Sequence, residues 1–134
     1  MAIPSKRLYS RSKIWIEDAE GKVVFGSGRL RILKAIQKTG SIHAAAKELK
    51  IGYRAVWARI HATEERLGIQ LLEKQIGGAA GGGSRLTQIA EELVHAFTCL
   101  EKEIEEETDA RFQQFENILN IQISGASSTG TDID

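Results

Sequence analysis

Two side chains suited to molecular recognition stand next to each other at Tyr53 and Arg54. An arginine can donate two parallel hydrogen bonds to guanine or hold a phosphate, and a tyrosine can donate to a phosphate or pack on a sugar. Ala55 and Ala58 are small enough to leave room for the atoms of a DNA groove. Trp57 has two interpretations: it packs in the core, which is the more common case, or it touches DNA.

A glycine-rich segment at 77–84 has two possible roles. It resembles a phosphate-cradling loop, but it lacks the Gly-Lys-Ser/Thr ending and a surrounding parallel α/β pattern. A hairpin tip explains it better, because glycines at Gly78 and Gly81 would let the backbone approach a phosphate, with Lys74 and Arg85 supplying charge. The alternative is a hairpin loop that makes no contact.

The charge distribution supports a polyanionic partner for one part of the chain. Residues 1–87 hold 16 Lys+Arg and 7 Asp+Glu, a net charge of +9, whereas residues 88–134 hold 2 and 11, a net charge of −9. A basic body suggests nucleic acid, although a solvated charged surface without a partner has the same composition. The segment 1–12, which carries Lys6, Arg7 and Arg11, is expected to be a flexible basic arm.

Other chemistries lack the residues they need. His95 and Cys99 are four residues apart and would share a helix face, but no further ligand completes a metal site. No nucleophile elbow or other catalytic pattern is present, so an enzyme is not expected. We therefore expect no catalytic residue, no metal and no cofactor.

The length and composition exclude several classes of protein. The 134 residues, 42% of them hydrophobic, suit one globular domain with a helical extension. No apolar run approaches the ~20 residues of a membrane-spanning helix, so no membrane partner is expected. The N-terminus lacks the apolar stretch of a secretory signal, and the single cysteine fits a reducing compartment, so a cytoplasmic location is expected.

Glycines and capping residues divide the chain into short elements. Gly40 and Gly68 are placed to end helices, while Ser41 and Thr87 are suited to begin them. Asp18–Gly21 has the length and glycine of a hairpin loop. The expected elements are strands at 12–17 and 22–25, helices at 28–39, 42–49 and 53–67, strands at 70–76 and 85–86, a helix at 88–123 and a disordered tail at 124–134.

This order is typical of a winged helix-turn-helix domain, within 13–87, followed by a long helix. The fold class is therefore mainly α with small β-hairpins. Spacing places Val56, Ile60, Thr63 and Leu67 on the inner face of the third helix, which turns Arg54 outward. The apolar stripe of the long helix needs a second chain to cover it, unless the helix folds back near Thr108-Asp109.

Three segments together resemble the DNA-binding domain of ModE-type molybdate-responsive transcriptional regulators, which is related to the LysR-type winged helix. The similarity covers about residues 13–105, and the combination of the Tyr-Arg-x-x-Trp segment with the double glycine run is quite specific. The matching segments are Val24-Phe25-Gly26-x-Gly28-Arg29-Leu30-x-Ile32-Leu33-x-Ala35-Ile36-x-x-Thr39-Gly40-Ser41-Ile42, Ile51-Gly52-Tyr53-Arg54-x-x-Trp57 and Gly77-Gly78-x-x-Gly81-Gly82-Gly83-x-x-Leu86-Thr87.

The resemblance implies a homodimer that reads an inverted repeat in double-stranded DNA. Candidate DNA contacts from the residues and the resemblance together are Ser41, Lys47, Lys50, Gly52, Tyr53, Arg54, Trp57, Arg59, Lys74, Gly78, Gly81 and Arg85. The N-terminal strands and the long helix would hold the dimer through Ile14, Ile16, Leu93, Phe97, Leu100 and Ile104.

Two departures from the family pattern limit what is carried over. Ala79-Ala80 stands where the family often has a lysine, which weakens the expected contact of the glycine segment with phosphate. The long helix is followed by about a dozen polar residues, too few for a molybdate-binding domain, so molybdate binding is not expected. These departures leave an alternative, a protein-interaction module that dimerises with other regulators and binds DNA weakly.

Overall fold

A computed structural model of the chain describes residues 7–75 and 83–129. Two small antiparallel hairpins frame a group of three helices, and a long helix follows. The elements are β1 Trp15–Glu17, β2 Val23–Gly26, α1 Ser27–Thr39, α2 Ile42–Leu49, α3 Tyr53–Leu67, β3 Leu72–Gln75, β4 Gly83–Leu86 and α4 Gln88–Thr129. The mainly helical fold class predicted from the sequence is confirmed.

The helices match the predicted ranges closely, except at the end of the chain. The helix α4 continues to Thr129, so the predicted disorder is wrong for residues 124–129. A helix that has already formed extends at little cost, and no proline occurs after Pro4 to stop it. The alternative in which the helix folds back near Thr108-Asp109 is also wrong, because α4 is continuous there.

By contact, the described residues divide into two compact units. Residues 13–101 form one unit, and residues 7–12 together with 102–129 form the other. In the second unit, the Ser10 hydroxyl donates to the Asp109 carboxylate at 2.5 Å, so this part of the predicted basic arm contacts a helix. Lys6 lies outside the described residues.

Within residues 13–101, the core lies between α1, α2, α3 and the start of α4. Its largest enclosed side chains include Ile32, Leu33, Ile36 and Ile60. The sequence spacing predicted the inward position of Ile60. Thr63 is the one polar side chain buried in this core among the described residues. Its hydroxyl donates to the Val24 carbonyl at 2.7 Å, which ties α3 to β2.

Two residues were assigned to the wrong surface. Phe97 was expected at a dimer interface, but it is buried within its own protomer, with its ring centroid 5.0 Å from that of Phe25. The reason is that Phe97 follows Ala90 and Val94 on the inward face of α4. Leu67 was expected on the inner face of α3, but it is 41% exposed, because the last helical turn extends past the core.

The other expected dimer residues lie at or near the surface of the protomer. Ile16 and Leu100 are exposed, Ile104 is half-buried, and Ile14 and Leu93 are half-buried against the core.

No helix in the described parts of the chain combines the length and the apolarity that crossing a bilayer requires.

Candidate nucleic-acid interface

The exposed face of α3 presents the residues that the sequence singled out. Val56 and Ile60 are buried, and Arg54 lies on the opposite side of the helix and is exposed. Gly52 precedes the helix as its N-cap in an extended conformation and is also exposed. The N-terminal turn of α3 therefore offers Tyr53 and Arg54 to a partner.

Aromatic rings make this face rigid. The ring of Tyr53 stacks on His43, the second residue of α2, with centroids 4.0 Å apart and planes 11° apart. Trp57 is 46% exposed and packs on His61 at 3.8 Å, so it is not a core aromatic. Sequence reasoning missed His43, because nothing in the local pattern shows that the N-termini of α2 and α3 meet.

The hairpin β3–β4, called the wing from here on, stands beside α3 and closes a groove. Its strands pair antiparallel, with Leu72 opposite Leu86 and Gln75 opposite Gly83. The groove has a volume of about 780 Å³. Its walls include Ser41, His43, Tyr53, Trp57, His61, Glu64, Leu72, Lys74 and Ser84.

A backbone contact joins the wing to the turn between α1 and α2. The amide of Ser84 donates to the carbonyl of Gly40 at 2.8 Å. Gly40 adopts a left-handed conformation with φ of 84°, which favours glycine. A Cβ atom at Gly83 would collide with the same carbonyl oxygen, so this approach also requires glycine at 83. The strand β4 accordingly begins at Gly83, two residues before the predicted return strand.

A second contact joins the wing to α3 itself. One carboxylate oxygen of Glu64, Oε2, accepts a hydrogen bond from the amide of Leu71 at 2.8 Å. The other oxygen, Oε1, lies 3.4 Å from Nδ1 of His61 on the exposed side of the helix. Glu64 was not among the predicted site residues. Its role depends on the hydrogen bond to Leu71, seven residues later, and no sequence motif indicates that contact.

The base of the wing is closed by Thr87 and by apolar side chains. The amide of Thr87 donates to the Leu71 carbonyl at 2.9 Å, and its hydroxyl donates to the Gln70 carbonyl at 2.7 Å. Leu71 and Leu86 are buried in the core. Together these contacts fix where the wing leaves the helical domain.

The charged residues of the wing do not all have the expected role. Arg85 pairs with Glu73 directly across the hairpin, with Nε 2.8 Å from Oε1. The predicted contact of Arg85 with a phosphate remains a prediction, and this ion pair would compete with it. Lys74 is exposed and forms no ion pair within the described residues. The expected contacts Gly78 and Gly81 lie outside the described residues.

The remaining candidates are on the helices. The hydroxyl of Ser41 accepts from the Ala44 amide at 2.9 Å, so it caps α2 as predicted and leaves the first amides of that helix unused. Lys47 and Arg59 are exposed. At 3.6 residues per turn, Arg59 lies about 140° around α3 from Arg54, and therefore on another flank of the helix.

Lys50 has a strained backbone. It ends α2 with φ of 57°, and it is the one non-glycine residue with positive φ among the described residues. The left-handed conformation costs a lysine roughly 1–2 kcal/mol. A strained position that keeps a long cation at the surface, next to the start of α3, is consistent with a functional contact.

The pair His95 and Cys99 forms no larger cluster. Sγ of Cys99 lies 3.7 Å from Nε2 of His95, and both side chains are exposed. Within the residues that the structure describes, no group of three or more His, Cys, Asp or Glu side chains could hold a metal ion.

The helix-turn-helix formed by α2 and α3, with the wing beside it, defines a winged helix-turn-helix domain. Residues 28–91 match the family described as bacterial regulatory helix-turn-helix protein, lysR family. This part of the chain is therefore similar to LysR-type helix-turn-helix domains.

Two characterised bacterial proteins are similar to part of the chain. The chain is 42% identical over 74 residues to "Transcriptional regulator ModE" of Haemophilus influenzae, covering 55% of this chain and 29% of that protein. It is 35% identical over 96 residues to "Molybdenum-pterin-binding protein MopB" of Rhodobacter capsulatus, covering 72% and 34%. The chain thus spans about a third of the length of these relatives.

Among solved structures, CbnR, a LysR family transcriptional regulator, matches with a TM-score of 0.48 and 26% identity. The match covers 63% of this chain and 28% of CbnR. The score is too low to carry an argument about function.

The contact at Gly83 predicts the effect of adding one methyl group. Gly83→Ala places a Cβ against the Gly40 carbonyl and breaks its bond to Ser84, so the free energy of unfolding should fall by about 1–3 kcal/mol. Gly28→Ala is the matched control, because its Cβ meets open space and alanine favours the helix by about 0.5–1 kcal/mol. Urea unfolding of both variants measures the difference. Equal effects would contradict the account.

The strain at Lys50 predicts opposite effects on stability and on binding. Lys50→Gly relieves the left-handed backbone and should raise the free energy of unfolding by about 0.5–1 kcal/mol. Removing the cation should weaken DNA binding and lower the slope of log affinity against log salt by about 0.9. Lys50→Asn tolerates the same backbone and should show the same loss of affinity. DNA affinity that stays unchanged in both variants would rule out the contact.

Proposed function

We propose that this chain is a cytoplasmic transcriptional regulator that binds double-stranded DNA sequence-specifically as a homodimer on an inverted repeat. The observation that carries the proposal is the fixed placement of the exposed Tyr53–Arg54 turn beside the wing, on a LysR-type helix-turn-helix. In such domains the second helix of the pair enters the major groove and its first residues meet the base edges.

The exposed residues are suited to two kinds of contact, one with base edges and one with backbone phosphates. Arg54 is suited to a bidentate contact with guanine, and Tyr53, held by the ring of His43, is suited to a phosphate or sugar. Lys47, Lys50 and Lys74 are exposed, and each would neutralise a backbone phosphate of the bound DNA. We assign no molybdate site to residues 7–75 and 83–129.

Exposed apolar side chains support the proposed dimer. Ile16 and Leu100 are exposed on the domain, and Phe115 and Ile118 are 54% and 64% exposed on the later part of α4. Large apolar side chains on one helix face are usually covered by a partner. A twofold interface would present two α3 helices to the two halves of an inverted repeat.

A second candidate is a protein-interaction module that keeps the fold and binds DNA weakly. The ion pair between Arg85 and Glu73 favours it, because it neutralises one of the cations that the wing would bring to DNA. In titrations with random duplex at low salt, such a module would show little binding, whereas a DNA-binding regulator would show clear binding that weakens with salt.

Substitutions at Arg54 and Lys74 separate base reading from phosphate binding. Arg54→Ala should relax preference at one base pair by about 1–3 kcal/mol. Lys74→Ala should weaken binding to all sequences alike and reduce the salt slope by about 1. A randomised-duplex selection with each variant measures both effects. If Arg54→Ala leaves sequence preference unchanged, α3 does not read bases as proposed.

A further inference from the structure

Three arginines form a cluster on the flank of α3 that faces away from the groove. We call Arg29, Arg59 and Arg66 the arginine cluster. Arg59 and Arg66 are seven residues apart on α3, which is nearly two full turns, so they share one face. That face is about 160° around the helix from Trp57, which lines the groove. The cluster therefore lies outside the groove between α3 and the wing.

Hydrogen bonds hold two of these side chains in place, one on α3 and one on β2. Nε of Arg29 donates to the Thr63 hydroxyl at 2.6 Å, and that hydroxyl donates to the Val24 carbonyl. One terminal nitrogen of Arg66 donates to the Val23 carbonyl at 2.5 Å. Arg66 is thus anchored on β2 directly, and Arg29 is anchored on α3 through Thr63. The contact made by Arg29 uses Nε, which leaves its two terminal nitrogens for another acceptor.

The cluster carries positive charge that the described residues do not balance by ion pairing. No acidic side chain in the described residues forms an ion pair with any of the three arginines. Asp18 is nearby, but its Oδ1 accepts from the amides of Glu20 and Lys22. Asp18 attracts Arg66 electrostatically, but the two do not form an ion pair.

The arginines repel one another. Desolvation, and then the positive charges of Arg66 and Arg59, lower the pKa of Arg29 below its ordinary value. Because arginine stays protonated at neutral pH, the shift does not discharge the group, and the repulsion remains in the folded chain. An anion with several acceptor oxygens would remove that repulsion and occupy the unused donors.

The geometry points to a binding site for one tetrahedral oxyanion, a phosphate group, at the arginine cluster. The same chemistry has two sources, a backbone phosphate of bound DNA or a free anion such as inorganic phosphate. The DNA source rests on the proposed function, whereas the free anion does not. Because Thr63 and β2 already position Arg29 and Arg66, the site exists without a partner.

Inorganic phosphate tests the free anion on the full chain. At equal pH and ionic strength, phosphate at about ten times its dissociation constant should raise the thermal midpoint by about 5 °C relative to chloride. Arg59→Gln and Arg66→Gln should each abolish this difference. The control is Arg31→Gln, an exposed arginine of α1 outside the cluster, which should retain it. Arg59→Glu should remove the phosphate effect and raise the midpoint without phosphate, which a merely structural arginine would not do.

Phosphate-ethylation interference on bound duplex tests the DNA source. Arg59→Gln and Arg66→Gln should lose the same backbone position, one that Lys74→Ala retains, and each should lower the salt slope by about 0.9. A phosphate effect in a chain that does not bind DNA would support the site and refute the proposed function. The opposite result is also informative. If the chain binds DNA, but phosphate does not raise the thermal midpoint and the variants lose no backbone position, the arginine cluster is not a phosphate site and the proposed function stands.

Discussion

The hydrogen bond from the Ser84 amide to the Gly40 carbonyl is the constraint on which the interface depends. It joins the wing to the turn between α1 and α2. A Cβ at 83 would block it, and the left-handed backbone at 40 favours glycine. Glu64 adds a second connection by binding the amide of Leu71 from within α3. Because two contacts hold α3 and the wing in one arrangement, the entropy cost of arranging them does not fall on the binding of a partner.

Much of the fold could be predicted from the sequence because its signals are local. Helical spacing, the glycine at Gly40 and the cap at Ser41 place α1 and α2 almost to the residue. Local signals failed where tertiary contacts decide the outcome. Phe97 shares the spacing of a dimer stripe, but Phe25 encloses it within the protomer, and α4 passes through 124–129 because nothing there stops a helix.

Only part of the candidate site could be predicted from the sequence. Tyr53 and Arg54 stand out by residue type and by their place at the start of a helix. The support around them is long-range: His43 stacks on Tyr53 from another helix, and Glu64 reaches a later strand. The pairing of Arg85 with Glu73 depends on hairpin register, which a glycine-rich tip leaves undefined in the sequence. Signals from neighbouring residues in the sequence therefore predicted Tyr53 and Arg54, but not the long-range contacts that position them.

The account is tested most directly by NMR of the DNA-free chain, through the scalar coupling that crosses a hydrogen bond. A measurable coupling between the Ser84 amide nitrogen and the Gly40 carbonyl carbon is expected, with slow exchange of the Ser84 amide proton. The Gly40 amide, which donates to the Ile36 carbonyl at 2.7 Å, provides an internal reference for a protected proton. A Ser84 amide that exchanges at the rate of an unprotected group, with no coupling to Gly40, would contradict the claim that the wing is fixed before DNA arrives.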